Sequence, residues 1–391
     1  MPLLEKDHRI PFERSVYRDR LGTVKDLMSD RGLDALLLTD PTSHHYLSGF
    51  ESRSWSSFQV LLVLSDRDEP IFSGRQTEER AGHVTTWLRS ESVRCYPESY
   101  AHPHSPNHPV EWVLQLLDEH GDYPDVGVET GSDFLPADTY AELQRRGSSK
   151  VFHDVTQPIR GLYHRKSDGE LDYMREAGKI TDRAMYTAVD SIGEGVREND
   201  AMAAILQTLV EGTEEYGGLN PEGSPSFGPG HFRFSDRKFE EGDVFKLELS
   251  GCVHYYYKPL TRTFHIGEPP RTVRRIYEEL DEDLELLISS IEPGKKCGEI
   301  DRIYREEANH PTPTRCGYSS GYSVAPTWGE GSADLTEGDE TVLEPGMTFH
   351  FVPRVPDIGP DKYEMLHSEQ IVVTENGCEI IGNFPRKLLV V

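Results

Sequence analysis

Two side chains in one stretch of the sequence could carry out proton transfer or nucleophilic chemistry. Residues 227–267 place His231 in a glycine-flanked turn and Glu248 within a strand-like apolar run. A carboxylate in an apolar strand is costly unless it is paired or functional, and a histidine with its ordinary pKa of about 6.5 can move protons near neutral pH. We therefore predict that His231 and Glu248 are catalytic. Two alternatives stay open: a turn histidine without a catalytic role, and a structural ion pair between Glu248 and Arg262.

The elements that must position these residues form two predicted domains, as the length of 391 residues also suggests. Up to about residue 160, helical patterns alternate with short buried strands, which is typical of an α/β domain. After that point, a pair of long helices precedes the Glu248 strand, and a second pair precedes further strands. This order is typical of an α+β domain with internal duplication. We expect an α/β domain over residues 1–163 and an α+β domain over residues 164–391.

Local signals define the individual elements. An apolar stripe at helical spacing from Tyr17 to Met28 predicts a helix that ends at Gly32. A buried strand at residues 35–38 is expected to be closed by Asp40-Pro41. In the second domain, Ser167 begins a helix with a capping-box pattern. Further helices are predicted at about 198–215, 272–291 and 298–308, and strands at 347–353 and 369–374.

Composition excludes some functions. The formal net charge is −27, with 68 acidic and 41 basic residues, and only 12 of the bases are lysines. A nucleic-acid-binding surface needs the opposite sign of charge, so we expect no nucleic-acid partner. Acidity along the whole chain with few lysines favours a protein from a salt-accumulating cell, because roughly 1 M salt shortens the Debye length to about 3 Å. An ordinary acidic enzyme is the alternative.

The five cysteines and the hydropathy pattern bear on location. The cysteines are odd in number and include no C-x-x-C pair, so reduced thiols are expected rather than a disulfide framework. The first residues lack the apolar core of a signal peptide. No apolar run approaches the roughly 20 residues that span a bilayer. We expect a cytoplasmic protein without membrane contact.

Several motifs resemble the pita-bread family, which includes aminopeptidase P, prolidase, methionine aminopeptidase and creatinase. The motifs lie at residues 241–244, 261–264, 343–349 and 372–377, reading EGDV, TRTF, LEPGMTF and VVTENG. The resemblance covers essentially the whole chain. It implies a creatinase-type N-terminal domain over 1–163, a pita-bread catalytic domain over 164–391, and a homodimer.

The resemblance also implies where the metallopeptidases of this family would hold two metal ions. The five ligand positions correspond in this sequence to Glu248, Pro259, Tyr318, Val352 and Ser368. A dinuclear site needs bridging carboxylates and a nitrogen ligand, and proline and valine supply neither. We therefore expect no metal and no other cofactor.

Within the family, the residues are most similar to the ectoine hydrolases of the metal-independent branch. The shared features are E-x-x-G-C at 248–252, P-L-x-R-T at 259–263, P-x-W-G-E at 326–330 and MTFHF at 347–351. The resemblance implies that His231 transfers the proton and that Glu248 is either the nucleophile or the base that activates water. It implies substrate-binding roles for the following residues: Tyr318, Trp328, Glu330, His350 and Glu369. Glu330 and Glu369 are the candidate amidinium clamps.

The expected reaction is metal-independent hydrolysis of a C–N bond in a cyclic amidine or a guanidine, with ectoine as the first substrate. An amidinium carbon is already electrophilic, and carboxylates can fix its plane through paired hydrogen bonds. The sequence departs from the ectoine hydrolase pattern at Tyr257, at 325–327 and at 363–368, so the exact substrate stays open. The alternatives are a metal-dependent Xaa-Pro dipeptidase or aminopeptidase, a creatinase-like guanidine hydrolase, and a solute-binding protein without catalytic activity.

Overall fold

The computed structural model describes residues 10–51, 57–101, 106–217, 225–228, 233–310, 319–324, 326, 328, 333–358 and 363–391. The chain divides into two compact units, residues 1–163 and 164–391. The first unit is α/β and the second is α+β, so the predicted fold class is confirmed.

The first unit is built on a mixed five-stranded sheet with strand order β3-β2-β1-β4-β5. Strand β1 pairs parallel with β4 and antiparallel with β2. Its strands are β1 (Ala35–Leu38), β2 (Val60–Leu64), β3 (Ile71–Ser73), β4 (Asp125–Val128) and β5 (Val151–Asp154). Its helices are α1 (Arg14–Arg31), α2 (Pro41–Ser48), α3 (Glu79–Thr85), α4 (Pro109–His120), α5 (Ala137–Arg146) and α6 (Thr156–Arg160).

Helix α1 and the end of strand β1 confirm two predictions, and helix α2 is an element that the sequence did not predict. The predicted stripe of α1 is buried, and Gly32 ends the helix in the left-handed region with φ of 66°. Strand β1 ends at Leu38, just before Asp40 and Pro41, and these two residues begin helix α2. The Asp40 carboxylate accepts a hydrogen bond from the Thr42 backbone N–H at 3.0 Å, and Pro41 fills the first helical position, where its missing N–H costs nothing.

The second unit contains four helices and three sheets among the described residues. Its helices are α7 (Asp168–Ser191), α8 (Glu198–Glu211), α9 (Arg271–Ser290) and α10 (Cys297–Glu307). Its strands are β6 (Ser226–Phe227), β7 (Val244–Val253), β8 (Tyr256–His265), β9 (Gly321–Ser323), β10 (Asp334–Leu335), β11 (Thr348–Phe351), β12 (Arg354–Ile358), β13 (Tyr363–Leu366), β14 (Glu369–Thr374), β15 (Gly377–Ile380) and β16 (Leu389–Val390).

Helices α7 and α8 confirm the predicted helix starts, and α8 ends earlier than expected. The capping box of α7 is present, with Ser167 and Glu170 bonding reciprocally. Helix α8 stops at Glu211, where Gly212 takes a φ of 64°. A Cβ on Gly212 would lie 1.9 Å from the Tyr216 backbone oxygen, so only glycine fits this turn.

Strands β7 and β8, of ten residues each, form an antiparallel hairpin that packs against α7 and α8. Alternate residues of the hairpin, including Leu247, Leu249 and Leu260, join the apolar residues of both helices in one core. The two turn residues, His254 and Tyr255, have φ of 48° and 63°, as a type I′ hairpin turn requires.

The second sheet has strand order β10-β9-β11-β14-β15 and packs against α9 and α10. It meets the hairpin where β14 begins. The Thr261 backbone N–H donates to Ser368 Oγ at 2.7 Å, and the Ser368 N–H donates to the Thr261 carbonyl at 3.3 Å. This junction joins β8 to β14, and so links the sheet that contains the hairpin to the sheet that contains β9, β11 and β14.

No helix in the described ranges is long and apolar enough to cross a membrane.

Candidate active site

The hairpin presents one polar face on the side away from the helices. Because side chains alternate along a strand, Lys246 and Glu248 of β7 lie on the face opposite Leu247 and Leu249. Glu248 is the register partner of Thr261 on β8. All three polar side chains are at least 94% buried. We call this polar surface of β7 and β8 the site face.

A buried lysine holds the Glu248 carboxylate on the site face. Lys246 Nζ lies 3.6 Å from Glu248 Oε2 and 3.4 Å from Glu364 Oε2 of β13. Arg354 of β12 lies 3.6 Å from the other oxygen of Glu364. Charges taken out of water need such partners. The two cations and two carboxylates form a buried charge cluster in which Glu248 is the member nearest to Thr261 in the strand register.

The opposite wall of the site comes from β9 and β11. His350 is the register partner of Tyr322, and both point away from the core that Phe349 and Phe351 share with α9 and α10. Burial raises the pKa of Tyr322, and the negative charge of Glu248 raises it further. The Glu248 carboxylate therefore lies close enough to Tyr322 for its charge to act on the hydroxyl.

Trp328 completes this wall. Its indole Nε1–H donates to the Tyr322 hydroxyl oxygen at 2.9 Å, and that oxygen lies 2.8 Å from His350 Nδ1. The Trp328 ring lies 6.3 Å from the ring of Tyr257, which belongs to the hairpin. The described residues therefore bring together four of the polar and aromatic groups of the site from three separate segments.

The protonation of His350 follows from its surroundings. Burial and the nearby positive charges of Lys258, Lys246 and Arg262 hold its pKa well below the ordinary value, so the ring is neutral. The Tyr322 hydroxyl has no other acceptor among the described residues, so its proton goes to His350 Nδ1. The ring proton of His350 then lies on Nε2.

Three buried polar side chains on β8, β11 and β14 have unpartnered atoms, and one of them is Thr261, the register partner of Glu248. Thr261 Oγ1, His350 Nε2 and both amide atoms of Gln370 have no hydrogen-bond partner among the described residues. Each of these three residues has no exposed surface. Gln370 of β14 is the register partner of His350, and it lies two residues after Ser368, which bonds Thr261. The unpartnered atoms therefore lie along one continuous polar row.

Glu369, predicted to bind substrate, is held by cations on the other side of the sheet. Its carboxylate forms an ion pair with the fully buried Arg262, and Lys258 Nζ lies 3.8 Å away. Arg262 also donates to the Ser368 carbonyl at 2.6 Å. Burial lowers the pKa of Lys258, and the Glu369 charge opposes that change. These contacts favour a structural role for Glu369. They also show that Arg262 pairs with Glu369 and not with Glu248, against the alternative considered from the sequence.

Three of the predicted site residues lie outside the described residues: His231, Tyr318 and Glu330. Their roles stay predictions. Of the other predicted residues, the structure brings Glu248, His350 and Trp328 to one region through Tyr322.

The described residues at the positions where the family resemblance implies metal ligands do not fit a dinuclear centre. Pro259 and Val352 have no donor atom, and Ser368 Oγ already accepts the Thr261 N–H. The Lys246 ammonium lies beside Glu248 and already supplies the positive charge that a metal ion would bring to this carboxylate. Within the described ranges, no group of three or more His, Cys, Asp or Glu side chains is placed to hold a metal ion.

Sequence reasoning missed four residues of the site: Lys246, Thr261, Tyr322 and Gln370. Strand alternation could have found Lys246, because it stands two residues before Glu248 and shares its face. Thr261 is recognisable in the sequence only as part of a motif. No signal in the sequence identifies Tyr322 or Gln370, since their roles depend on pairing with β11.

Comparisons with known proteins agree with this architecture. The family model described as "Metallopeptidase family M24" matches residues 172–375, and "Creatinase/Prolidase N-terminal domain" matches residues 20–162. An uncharacterized hydrolase/peptidase of Sinorhizobium fredii is 35% identical over 97% of this chain and 98% of its own length. The ectoine hydrolase of Halomonas elongata is 30% identical over the same shares of the two chains.

A solved structure gives the same fold. The prolidase of Thermococcus sibiricus superposes with a TM-score of 0.78, covering 96% of this chain and 99% of that chain at 18% identity. That likeness shows the two-domain fold alone. The matched models and the full-length relatives together show that this chain belongs to the M24 family of hydrolases and carries a creatinase/prolidase N-terminal domain.

Proposed function

We propose that this protein hydrolyses a C–N bond of a cyclic amidine without a metal ion, and that its substrate is ectoine, which it opens to an N-acetylated diaminobutyrate. The observation that carries the proposal is Glu248. It is a buried carboxylate paired with a lysine. Three of the other positions where the resemblance implies metal ligands are occupied by Pro259, Val352 and Ser368. The similarity to the ectoine hydrolase of Halomonas elongata over 97% of this chain supports the choice of substrate.

The charges in the site suit an amidinium. A cationic substrate placed beside Glu248 would share that carboxylate with Lys246, and Glu364 supplies the second negative charge of the cluster. The amidinium carbon then needs no Lewis acid, because protonation has already made it electrophilic. Glu248 either attacks this carbon or removes a proton from the attacking water.

The balanced reaction adds one water molecule across the ring. The water oxygen bonds to the amidinium carbon and gives up both of its protons, and the bond from that carbon to one ring nitrogen breaks. The leaving nitrogen takes up one of these protons as the bond breaks and the other afterwards, and becomes an ammonium group. The former amidine carbon becomes the carbonyl of an acetamide. In this proposal His231 delivers the proton to the leaving nitrogen, since its ordinary pKa allows both protonation states near neutral pH.

The remaining features of the proposal concern the protein's setting. We infer a cytoplasmic homodimer from a salt-accumulating cell, which the net charge of −27 supports. Size-exclusion chromatography with light scattering in low and high KCl tests the dimer and the salt requirement together.

The first experiment is NMR of the purified protein with ectoine in high KCl, with and without a chelator. Ring opening at the same rate in both samples is the expected result. Turnover that a chelator abolishes and added metal restores would refute the metal-free mechanism. Hydrolysis of an Xaa-Pro dipeptide in parallel assays would favour a peptidase, and hydrolysis of creatine would favour a guanidine hydrolase. Binding of ectoine without turnover would identify a solute-binding protein.

A variant pair locates the chemistry. Glu248→Gln keeps the size of the side chain but removes its negative charge, and we expect it to abolish ring opening. Glu344→Gln, an exposed carboxylate paired with Arg165, is the matched control and should retain activity. Equal activity of Glu248→Gln and the unmodified protein would show that Glu248 is not the reacting group.

A further inference from the structure

The unpartnered polar row beside Glu248 points to a ligand. An unsatisfied buried polar group typically costs about 1–3 kcal/mol, and native proteins leave few of them. Here Thr261, His350 and Gln370 all have unpartnered atoms with no exposed surface, and they succeed one another across β8, β14 and β11. Unsatisfied atoms gathered in one row beside a reactive carboxylate indicate partners supplied by the substrate.

The row can donate three hydrogen bonds. His350 donates through Nε2–H, because the Tyr322 hydroxyl occupies Nδ1. Gln370 donates through its amide N–H groups and Thr261 through its hydroxyl. None of the three side chains carries a negative charge that would repel an anion. Several neutral donors that lack partners and lie on neighbouring strands suit an anionic acceptor, since hydrogen bonds to a charged acceptor are the stronger ones.

We infer that Gln370, His350 and Thr261 form a subsite for a carboxylate of the substrate. This inference rests on the proposed function and narrows it: the enzyme selects cyclic amidines that bear a carboxylate on the ring. The amidinium of the substrate faces Glu248. The carboxylate of the substrate faces the polar row, which begins at Thr261, the register partner of Glu248. The substrate thus aligns its two opposite charges with the two ends of the site.

The test compares ectoine with its carboxylate-free counterpart, 2-methyl-1,4,5,6-tetrahydropyrimidine. Gln370→Met preserves side-chain volume and removes both the donor and the acceptor. We expect it to lower kcat/KM for ectoine roughly 10- to 100-fold, the typical effect of a lost hydrogen bond to a charged group. The value for the carboxylate-free amidine should change by less than about threefold, because no such bond is lost. Gln370→Glu should lower ectoine turnover further through charge repulsion.

Stability measurements separate this role from a structural one. Gln370→Met removes a buried unsatisfied amide, so the variant should be at least as stable as the unmodified protein. Ser73→Ala, which removes an unpartnered buried hydroxyl in the first unit, is the matched control and should leave both kinetic constants unchanged. An equal loss of turnover for both amidines in Gln370→Met, or no loss for either, overturns the inference; in the second case the row binds only water.

Binding measurements keep the inference testable if the proposed reaction fails. Should no amidine be hydrolysed, calorimetric titration of the full-length protein with the same two compounds decides the question. Tighter binding of ectoine than of the carboxylate-free amidine, lost in Gln370→Met, supports the subsite without catalysis. Equal affinities, or no binding of either compound, refute it.

Discussion

Replacing Lys246 by methionine should destabilise the second unit and abolish turnover. The ammonium lies 3.6 Å from Glu248 and 3.4 Å from Glu364, and its side chain is only 4% exposed. At an effective dielectric constant of about 20, each contact corresponds to roughly 4–5 kcal/mol of Coulomb energy. Desolvation offsets much of this, and removing one partner of a buried pair typically costs about 3–5 kcal/mol. We expect a loss of that size for Lys246→Met.

The assay is urea unfolding followed by tryptophan fluorescence, with ectoine turnover measured on the folded protein. Lys296→Met is the matched control, because Lys296 pairs with Glu340 at the surface, where 45% of the lysine side chain is exposed. Such a pair contributes only about 0–1 kcal/mol. The double variant Lys246→Met with Glu248→Gln should recover part of the stability, since it also neutralises the buried carboxylate that has lost the Lys246 ammonium. A loss for Lys246→Met no larger than for Lys296→Met would refute the reasoning, because the cluster would then be as hydrated as a surface pair.

Three further predictions address the scaffold. Glu369→Gln should lower the free energy of unfolding by about 3–5 kcal/mol by leaving Arg262 without its carboxylate, with KM for ectoine unchanged; a raised KM at full folding would instead show a substrate clamp. Gly251→Ala should cost about 1–3 kcal/mol, because a Cβ would lie 2.3 Å from a backbone oxygen of α7. In contrast, a Cβ at Gly22 in α1 would meet nothing within 4 Å, so Gly22→Ala should stabilise the protein. The melting temperatures of the two variants test this contrast. Burial lowers the pKa of His44 to about 4. The unfolded chain therefore binds more protons than the folded chain below about pH 6.5. The free energy of unfolding falls by about 3 kcal/mol as the pH is lowered from 6.5 to 4. His44→Gln should flatten that slope in urea titrations at each pH, and an unchanged slope would contradict the assignment.

Local signals predicted the helices well because each depends on residues close in sequence. The α1 stripe from Tyr17 to Met28 and the Ser167 capping box both appear where expected. Helix α2 was not predicted, because an aspartate followed by proline is compatible with both a turn and a helix start. The next residues of the chain decide between the two: residues 42–48 are almost completely buried, and packing favours the helix.

The site was only partly predictable for a different reason. Glu248 stands out because it is an acid in an apolar strand, and His350 because it belongs to a recognisable motif. The role of Gln370 depends on register with His350, and that of Lys246 depends on the approach of Glu364 from β13. Such pairings join strands that are distant in sequence, so they cannot be predicted from composition or from residue spacing.

The junction between β8 and β14 has a consequence for how the active site is assembled during folding. The hairpin β7–β8 closes over a two-residue turn, whereas the Thr261–Ser368 bond joins residues 107 positions apart. Closing a long loop costs more conformational entropy than closing a short one, and non-local contacts generally form later. We expect the hairpin to form early and the polar row to be completed last. On the ribosome, Lys246 is synthesised more than a hundred residues before Glu364 of β13. Until Glu364 arrives, the nascent hairpin depends on its own backbone pairing and on its apolar face.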